Sequence, residues 1–243
     1  MILDEIVKNK LQELSQINKN IRNFQAALKK DGFSLIAEIK RASPSNGDIN
    51  LNVDIKKQAR IYEQVGANAI SVLTDKKYFK GDLNFLQQVK QATAIPILRK
   101  DFIIDQQQIY ESKIFGADAV LLIASILNEK TLIEFVDLVH QLHMQCLVEA
   151  HTEEDIQKIL KTKAKIIGIN ARNLKTMKID LNTVVRLAGL IPKDKILIAE
   201  SGIKTAQDVT KLKRAGVKGI LVGTSLMESN NIADKIKELK YAS

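Results

Sequence analysis

Gly116-Ala117-Asp118-Ala119-Val120-Leu121-Leu122-Ile123 contains the unit from which most of the chain is built. Its glycine follows a helically spaced segment, Asp105 to Phe115, and can take the left-handed cap conformation from which the next element starts. A short aliphatic run without polar alternation comes next, as expected for a parallel strand buried on both faces. The same joint stands at Gly66-Ala67-Asn68-Ala69 and at Gly216-Val217-Lys218-Gly219. Runs of the same character cover Leu35 to Lys40, Ala69 to Thr74, Ile97 to Lys100, Ala119 to Ile123, Gln145 to Glu149, Ile166 to Asn170, Lys195 to Ala199 and Gly219 to Val222. Stretches with helical spacing lie between them, such as Asp54 to Val65, and are long enough to be crossovers. In 243 residues, close to the roughly 250 typical of the fold, this repetition predicts an α/β protein of the (β/α)8 TIM-barrel type. Nothing resembles a linker, so residues 1–243 are expected to form one domain with residues 1–31 as an N-terminal helical extension.

The composition agrees and excludes other classes. Hydrophobic residues make up 45% of the chain, enough for a core, and there are only 3 prolines and 11 glycines. No apolar stretch reaches the roughly 18 residues of a membrane span, and Asp4 and Glu5 stand where a secretory signal would be basic, so a cytoplasmic protein with no membrane partner is expected. A lone cysteine, Cys146, cannot form an internal disulfide and is expected to pack against the outer helices. The net charge of +9 is mostly lysine, scattered over predicted helix surfaces as at Lys56-Lys57 and Lys211 to Lys213. Such scatter argues for a solvated surface and against nucleic-acid binding, and it favours capture of a small anion.

The N-terminal segment has Leu3, Val7, Leu11 and Leu14 at helical spacing, then a second helical stretch from about Asn23 to Lys30. Either it plugs the barrel bottom or part of it covers the mouth. Both readings stay open.

In such barrels the active site forms at the carboxyl ends of the strands, where the apolar runs here end in charge. The first run ends Glu38-Ile39-Lys40, whose strand period of two puts both charged side chains on one face. The third ends Arg99-Lys100-Asp101, the fifth Val148-Glu149, the sixth Asn170-Ala171-Arg172, and the seventh Glu200-Ser201-Gly202. Two lysines, three glutamates, an asparagine and an arginine are thereby brought to one mouth. Small residues follow strands one, seven and eight: Ser43-Pro44-Ser45-Asn46-Gly47, Ser201-Gly202 and Gly223-Thr224-Ser225. Their amides and hydroxyls suit a phosphate, which points to a small phosphorylated substrate.

The motifs Glu38-Ile39-Lys40-Arg41-Ala42-Ser43-Pro44-Ser45, Ser71-Val72-Leu73-Thr74, Leu98-Arg99-Lys100-Asp101-Phe102, Val148-Glu149-Ala150-His151, Gly168-Ile169-Asn170-Ala171-Arg172-Asn173-Leu174, Ala199-Glu200-Ser201-Gly202-Ile203 and Val222-Gly223-Thr224-Ser225-Leu226-Met227 together resemble the indole-3-glycerol-phosphate synthase family over nearly the whole chain. The resemblance implies a carboxy-lyase of tryptophan biosynthesis. Its members close the ring of 1-(2-carboxyphenylamino)-1-deoxyribulose 5-phosphate with loss of carbon dioxide and water, without metal or organic cofactor. It further implies Lys100 as general acid, Glu149 as general base and Lys40 as the partner that protonates the leaving hydroxyl. A lysine near other cations in a dry cavity would have a pKa lowered toward neutrality. Glu38 is expected to hold Lys40 and Lys100. The resemblance likewise implies that Asn170, Glu200 and Ser201 belong to the same catalytic set, that Arg172 and Phe102 bind the substrate, and that Ser43, Gly202, Gly223 and Thr224 bind its phosphate. A monomer is expected. Ala171 stands where many relatives have asparagine and Thr224 where serine is also common; neither removes a required group.

Phosphoribosylanthranilate isomerase chemistry needs no lysine pair beside three glutamates, and an inactive binding barrel would not need the complete ionisable set. His140 and His143, one helical turn apart, are expected to end a helix, where imidazolium suits the dipole, rather than to hold metal. His151, after Glu149, is expected to support its loop.

Overall fold

The computed structural model describes residues 5, 21–30, 32–174 and 176–242. The expected helix through Leu3, Val7, Leu11 and Leu14 lies outside them. Eight parallel strands close on themselves: β1 Ser34–Ile39, β2 Ala69–Leu73, β3 Ile97–Lys100, β4 Ala119–Ile123, β5 Gln145–Ala150, β6 Ile166–Asn170, β7 Ile196–Glu200 and β8 Gly219–Val222. β1 pairs with both β2 and β8, which completes the barrel. The boundaries match the expected runs to within one residue. An additional hairpin, Ala42–Ser43 against Gly47–Asp48, and two short helices, Lys76–Phe79 and Thr224–Met227, were not expected.

The helix-to-strand joints are built as the sequence indicates. Gly66, Gly116 and Gly216 have φ of +92°, +87° and +90°, the left-handed region where a side chain is costly. Most helices open on a side-chain cap. Thr152 with Asp155, Thr205 with Asp208 and Asp105 with Gln108 form reciprocal boxes that satisfy the free amides of the first turn.

Alternation sorts each strand into two cores. Leu35, Val72, Val120, Cys146, Val148, Ile169 and Ile220 face the helices, and Cys146 packs there as expected. The barrel interior holds Ile36, Leu98, Leu147 and Ile198 from the odd strands. Two residues further along the same strands come Glu38, Lys100, Glu149 and Glu200. Barrel tilt carries the register up by two residues at every second strand, so these four form one layer. The bottom is closed by the helix Phe24–Leu28, whose Phe24 and Leu28 join the interior core. Gln25 N donates to Gln145 Oε1, and Asn68 Nδ2 to Ala27 O, fixing this plug to the amino ends of strands. The described part of the extension therefore takes the bottom position.

Candidate active site

The top layer of the barrel interior is ionic. Lys100 Nζ lies 3.2 Å from Glu200 Oε2 and 3.5 Å from Glu149 Oε2, with both carboxylates almost wholly buried. Lys40 Nζ is 3.0 Å from Glu38 Oε1 and donates to Thr224 Oγ1 at 3.1 Å. These groups floor a cavity of about 920 Å³ whose lining includes Ser43, Phe102, Asn170, Arg172, Ser201, Gly202, Gly223 and Thr224. Every residue expected to act in catalysis or to bind the substrate or its phosphate thus borders one space.

The electrostatics differ from expectation at Lys100. Burial alone would depress its ammonium, but Glu200, Glu149 and Glu38 outweigh that and hold its pKa above the ordinary value. Its contacts are carboxylates, not cations, so the expected shift toward neutrality is reversed. Glu38 also plays a narrower part than expected: it pairs directly with Lys40, while Glu200 and Glu149 hold Lys100. Burial would raise Glu149, yet Lys100 and His151 overcome it and keep this carboxyl below its usual range. Glu200, buried and beside the Glu149 charge, is pushed up to about 8. One carboxyl is therefore ionised and its neighbour protonated at neutral pH, an arrangement suited to proton transfer. Glu200 Oε1 has no hydrogen-bond partner, and Glu149 Oε2 has only the Lys100 ammonium at 3.5 Å, beyond hydrogen-bond geometry, so each carboxyl keeps an oxygen open to a proton.

The rim is set by short-range bonds. Asn170 Oδ1 accepts from Arg172 N at 2.9 Å, and the Arg172 guanidinium reaches Met177 O at 3.3 Å. Ser201 has φ of +66°, uncommon for a residue with a side chain, and turns the chain so that Ser201 and Gly202 face the cavity. Ser225 Oγ donates to Ile203 O at 2.8 Å, joining the loops after β7 and β8. Phe102 is 40% exposed and leans on Phe79 with ring centroids 6.3 Å apart, which makes it a wall of the mouth rather than core. Ala171 is buried in the outer core, where no polar group is needed.

The geometry corrects or extends three sequence readings. His151 supports its loop through its backbone amide, which donates to Asp155, but its ring Nε2 lies 3.2 Å from Glu149 Oε1, against the carboxylate itself. His143 has left the helix Glu129–Gln141 and sits at φ +59°, so the helical spacing from His140 does not hold. Gly223 abuts Glu38: a methyl there would overlap Oε1 and stand 3.0 Å from Cδ. Its lack of a side chain serves the carboxylate as well as any anion.

A parallel barrel whose interior ends in a lysine between two carboxylates, beneath a cavity rimmed by loops of small residues, defines an acid–base enzyme of the TIM-barrel class. The family model for indole-3-glycerol phosphate synthase matches residues 3–239. A protein of that name from Endomicrobium trichonymphae is 47% identical over 257 aligned residues, covering 99% of this chain and 100% of its own. One from Alkaliphilus metalliredigens is 46% identical over 256, covering 99% and 98%. Among solved structures, 3-hexulose-6-phosphate synthase superposes with a TM-score of 0.66 at 16% identity, covering 86% of this chain and 99% of its own, and so shares the fold. The chain belongs to the indole-3-glycerol phosphate synthase family.

Proposed function

We propose that this cavity closes the ring of 1-(2-carboxyphenylamino)-1-deoxyribulose 5-phosphate, giving indole-3-glycerol phosphate, carbon dioxide and water. The observation that carries the reading is Lys100 held between Glu149 and Glu200 in the interior layer. As the carboxylate-bearing ring carbon attacks the ketone carbon, the ketone oxygen needs a proton, and Lys100 donates it. The bond to the carboxylate then breaks, carbon dioxide leaves, and the electron pair restores the aromatic ring. The new hydroxyl departs as water with a proton from Lys40, while Glu149 takes a proton from the adjacent methylene carbon to complete the indole. Two protons are given and one is taken. Each turnover thus draws one proton from solvent when the substrate carboxylate is counted as ionised.

The charge states support these roles. A charged Lys100 carries the proton it must give, and an ionised Glu149 can accept one. Glu200, with its pKa near 8, keeps a proton within reach of both. Glu38 orients Lys40 by a charge-assisted bond. Arg172 and Asn170 address the substrate carboxylate or hydroxyls, Ser201 borders the reacting centre, and Phe102 flanks the aromatic ring. Phosphate is assigned to Ser43, Gly202, Gly223 and Thr224, with Lys40 adding positive charge beside Thr224. No helix among the described residues is long and apolar enough to cross a membrane; we further propose a cytoplasmic monomer organised as one domain. Mixing the protein with the substrate and following indole fluorescence tests the reaction. A rise in fluorescence is expected, and silence from folded protein would refute it.

A further inference from the structure

Gly168 occupies the middle of β6, in the run Ile166-Ile167-Gly168-Ile169-Asn170, where a glycine weakens a strand. Its backbone does not require one, because the φ values in the left-handed region belong to other residues. Nor does its position at the barrel interior, since Leu121 and Leu221 fill the equivalent places on β4 and β8. What distinguishes Gly168 is its neighbour on β7. A methyl built at Gly168 would overlap Glu200 Oε1 and stand 3.2 Å from Glu200 Cδ, with Leu147 Cδ1 at 3.3 Å.

We infer that Gly168 is a positioning residue for Glu200: the side chain missing from β6 is the space in which the Glu200 carboxyl lies against Lys100. Any larger residue drives that carboxyl toward the cavity and away from the 3.2 Å contact with Lys100. Gly223 bears the same relation to Glu38, with Glu38 Cδ 3.0 Å from its virtual methyl. Gly168 and Gly223 therefore each leave room for a carboxylate of an adjacent odd strand, unlike Gly219, which abuts Ser34 and Ile198 lower in the barrel. A role in accommodating the backbone near an anion does not explain Gly168, which lies below the rim among Glu200 and Leu147.

The inference rests on the ring-closure reading, which wild-type turnover tests separately. Gly168→Ala is expected to lower kcat by about 100-fold, the scale of a misplacement of about 1 Å at a catalytic centre, with KM changed less than about 3-fold because the rim is untouched. The deciding measurement is a double-mutant cycle with Glu200→Ala, read in single turnovers with excess enzyme. If Gly168 acts only through Glu200, adding Gly168→Ala to Glu200→Ala costs less than about 3-fold. The added methyl then occupies the volume the carboxyl vacated, so the double variant keeps the thermal midpoint of Glu200→Ala. Wild-type kcat in Gly168→Ala would overturn the inference. So would a penalty that persists undiminished in the Glu200→Ala background, or a double variant that fails to fold, since either would mean that the methyl harms the barrel itself. Failure of wild-type turnover would instead count against the reaction.

Discussion

The two ends of this barrel each bury a carboxylate beside a lysine, yet they treat it in opposite ways. At the bottom Asp118 is fully buried and fully served: Oδ1 receives Lys90 Nζ at 2.5 Å and Arg22 N at 2.7 Å, and Oδ2 receives Ile97 N at 2.9 Å. Arg22 also donates to Ile95 O and Lys90 O, so one carboxylate anchors the plug segment, the end of a helix and a strand. At the top Glu149 and Glu200 lie equally deep, but a single ammonium is shared between them: Glu200 Oε1 has no partner, and Glu149 has Lys100 only at 3.5 Å with the His151 ring on its other oxygen. Satisfied burial makes a structural joint; unsatisfied burial leaves groups poised to exchange protons. Buried charge alone does not identify a site. The accounting of its partners does.

Substitutions at the two ends should therefore separate activity from stability. Lys100→Met is expected to reduce kcat by at least 100-fold, since general acid catalysis contributes about 10²–10⁴-fold, while circular dichroism stays native. Glu149→Gln keeps the side chain's shape and removes the base. It should bind substrate and turn over at a similarly small fraction of the wild-type rate. Near-normal kcat in either variant would erase the contrast from the catalytic side. At the bottom, Asp118→Ala should cost about 3–5 kcal/mol of stability, the scale of breaking a buried ion pair, and leave kcat of the folded fraction within about 3-fold. Denaturant titration and active-site-normalised kinetics check this together. A large loss of kcat from Asp118→Ala would show that the bottom is coupled to the mouth.

Much of this contrast could be read in advance, and the part that could not has a geometric cause. The apolar runs and the glycine joints determine the barrel because each is a local pattern with a local reason. The identity of the mouth residues follows from where those runs stop. The surroundings of Lys100 do not, because strand period assigns a side chain to a face but not to a layer. Only the closed barrel's stagger brings Glu149 and Glu200 level with Lys100 while sending Lys40 up to Thr224. For the same reason Gly223 reads as an anion contact in sequence and as the neighbour of Glu38 in space. The role of His151 was hidden differently. Its ring reaches back to Glu149, two positions earlier, through a bend that alternation does not describe.

The smallest expected effect lies at the rim. Thr224→Ala deletes the hydroxyl that accepts from Lys40 and takes one proposed phosphate donor, a hydrogen bond contributing about 0.5–1.5 kcal/mol. KM should rise about 2- to 10-fold with kcat nearly constant, measured by initial rates across substrate concentration. A fall in kcat with unchanged KM would transfer Thr224 from binding to the chemistry of Lys40.

The central claim is that the mouth carries ionisable groups at the expense of stability, and Glu200→Gln tests it most directly when its unfolding midpoint is compared with wild type across pH. Glu200 has a folded pKa of about 8, above the roughly 4.3 of an unperturbed glutamate. The folded state therefore binds more protons than the unfolded chain between those values, and wild-type stability falls as pH rises through that window. Glutamine does not titrate. The variant should match wild type near pH 4, gain an increasing advantage up to about pH 8 and keep it above, while kcat falls at least 10-fold. A variant that is less stable than wild type at pH 8, or a difference that does not change with pH, would contradict the account by making Glu200 a satisfied structural carboxylate like Asp118.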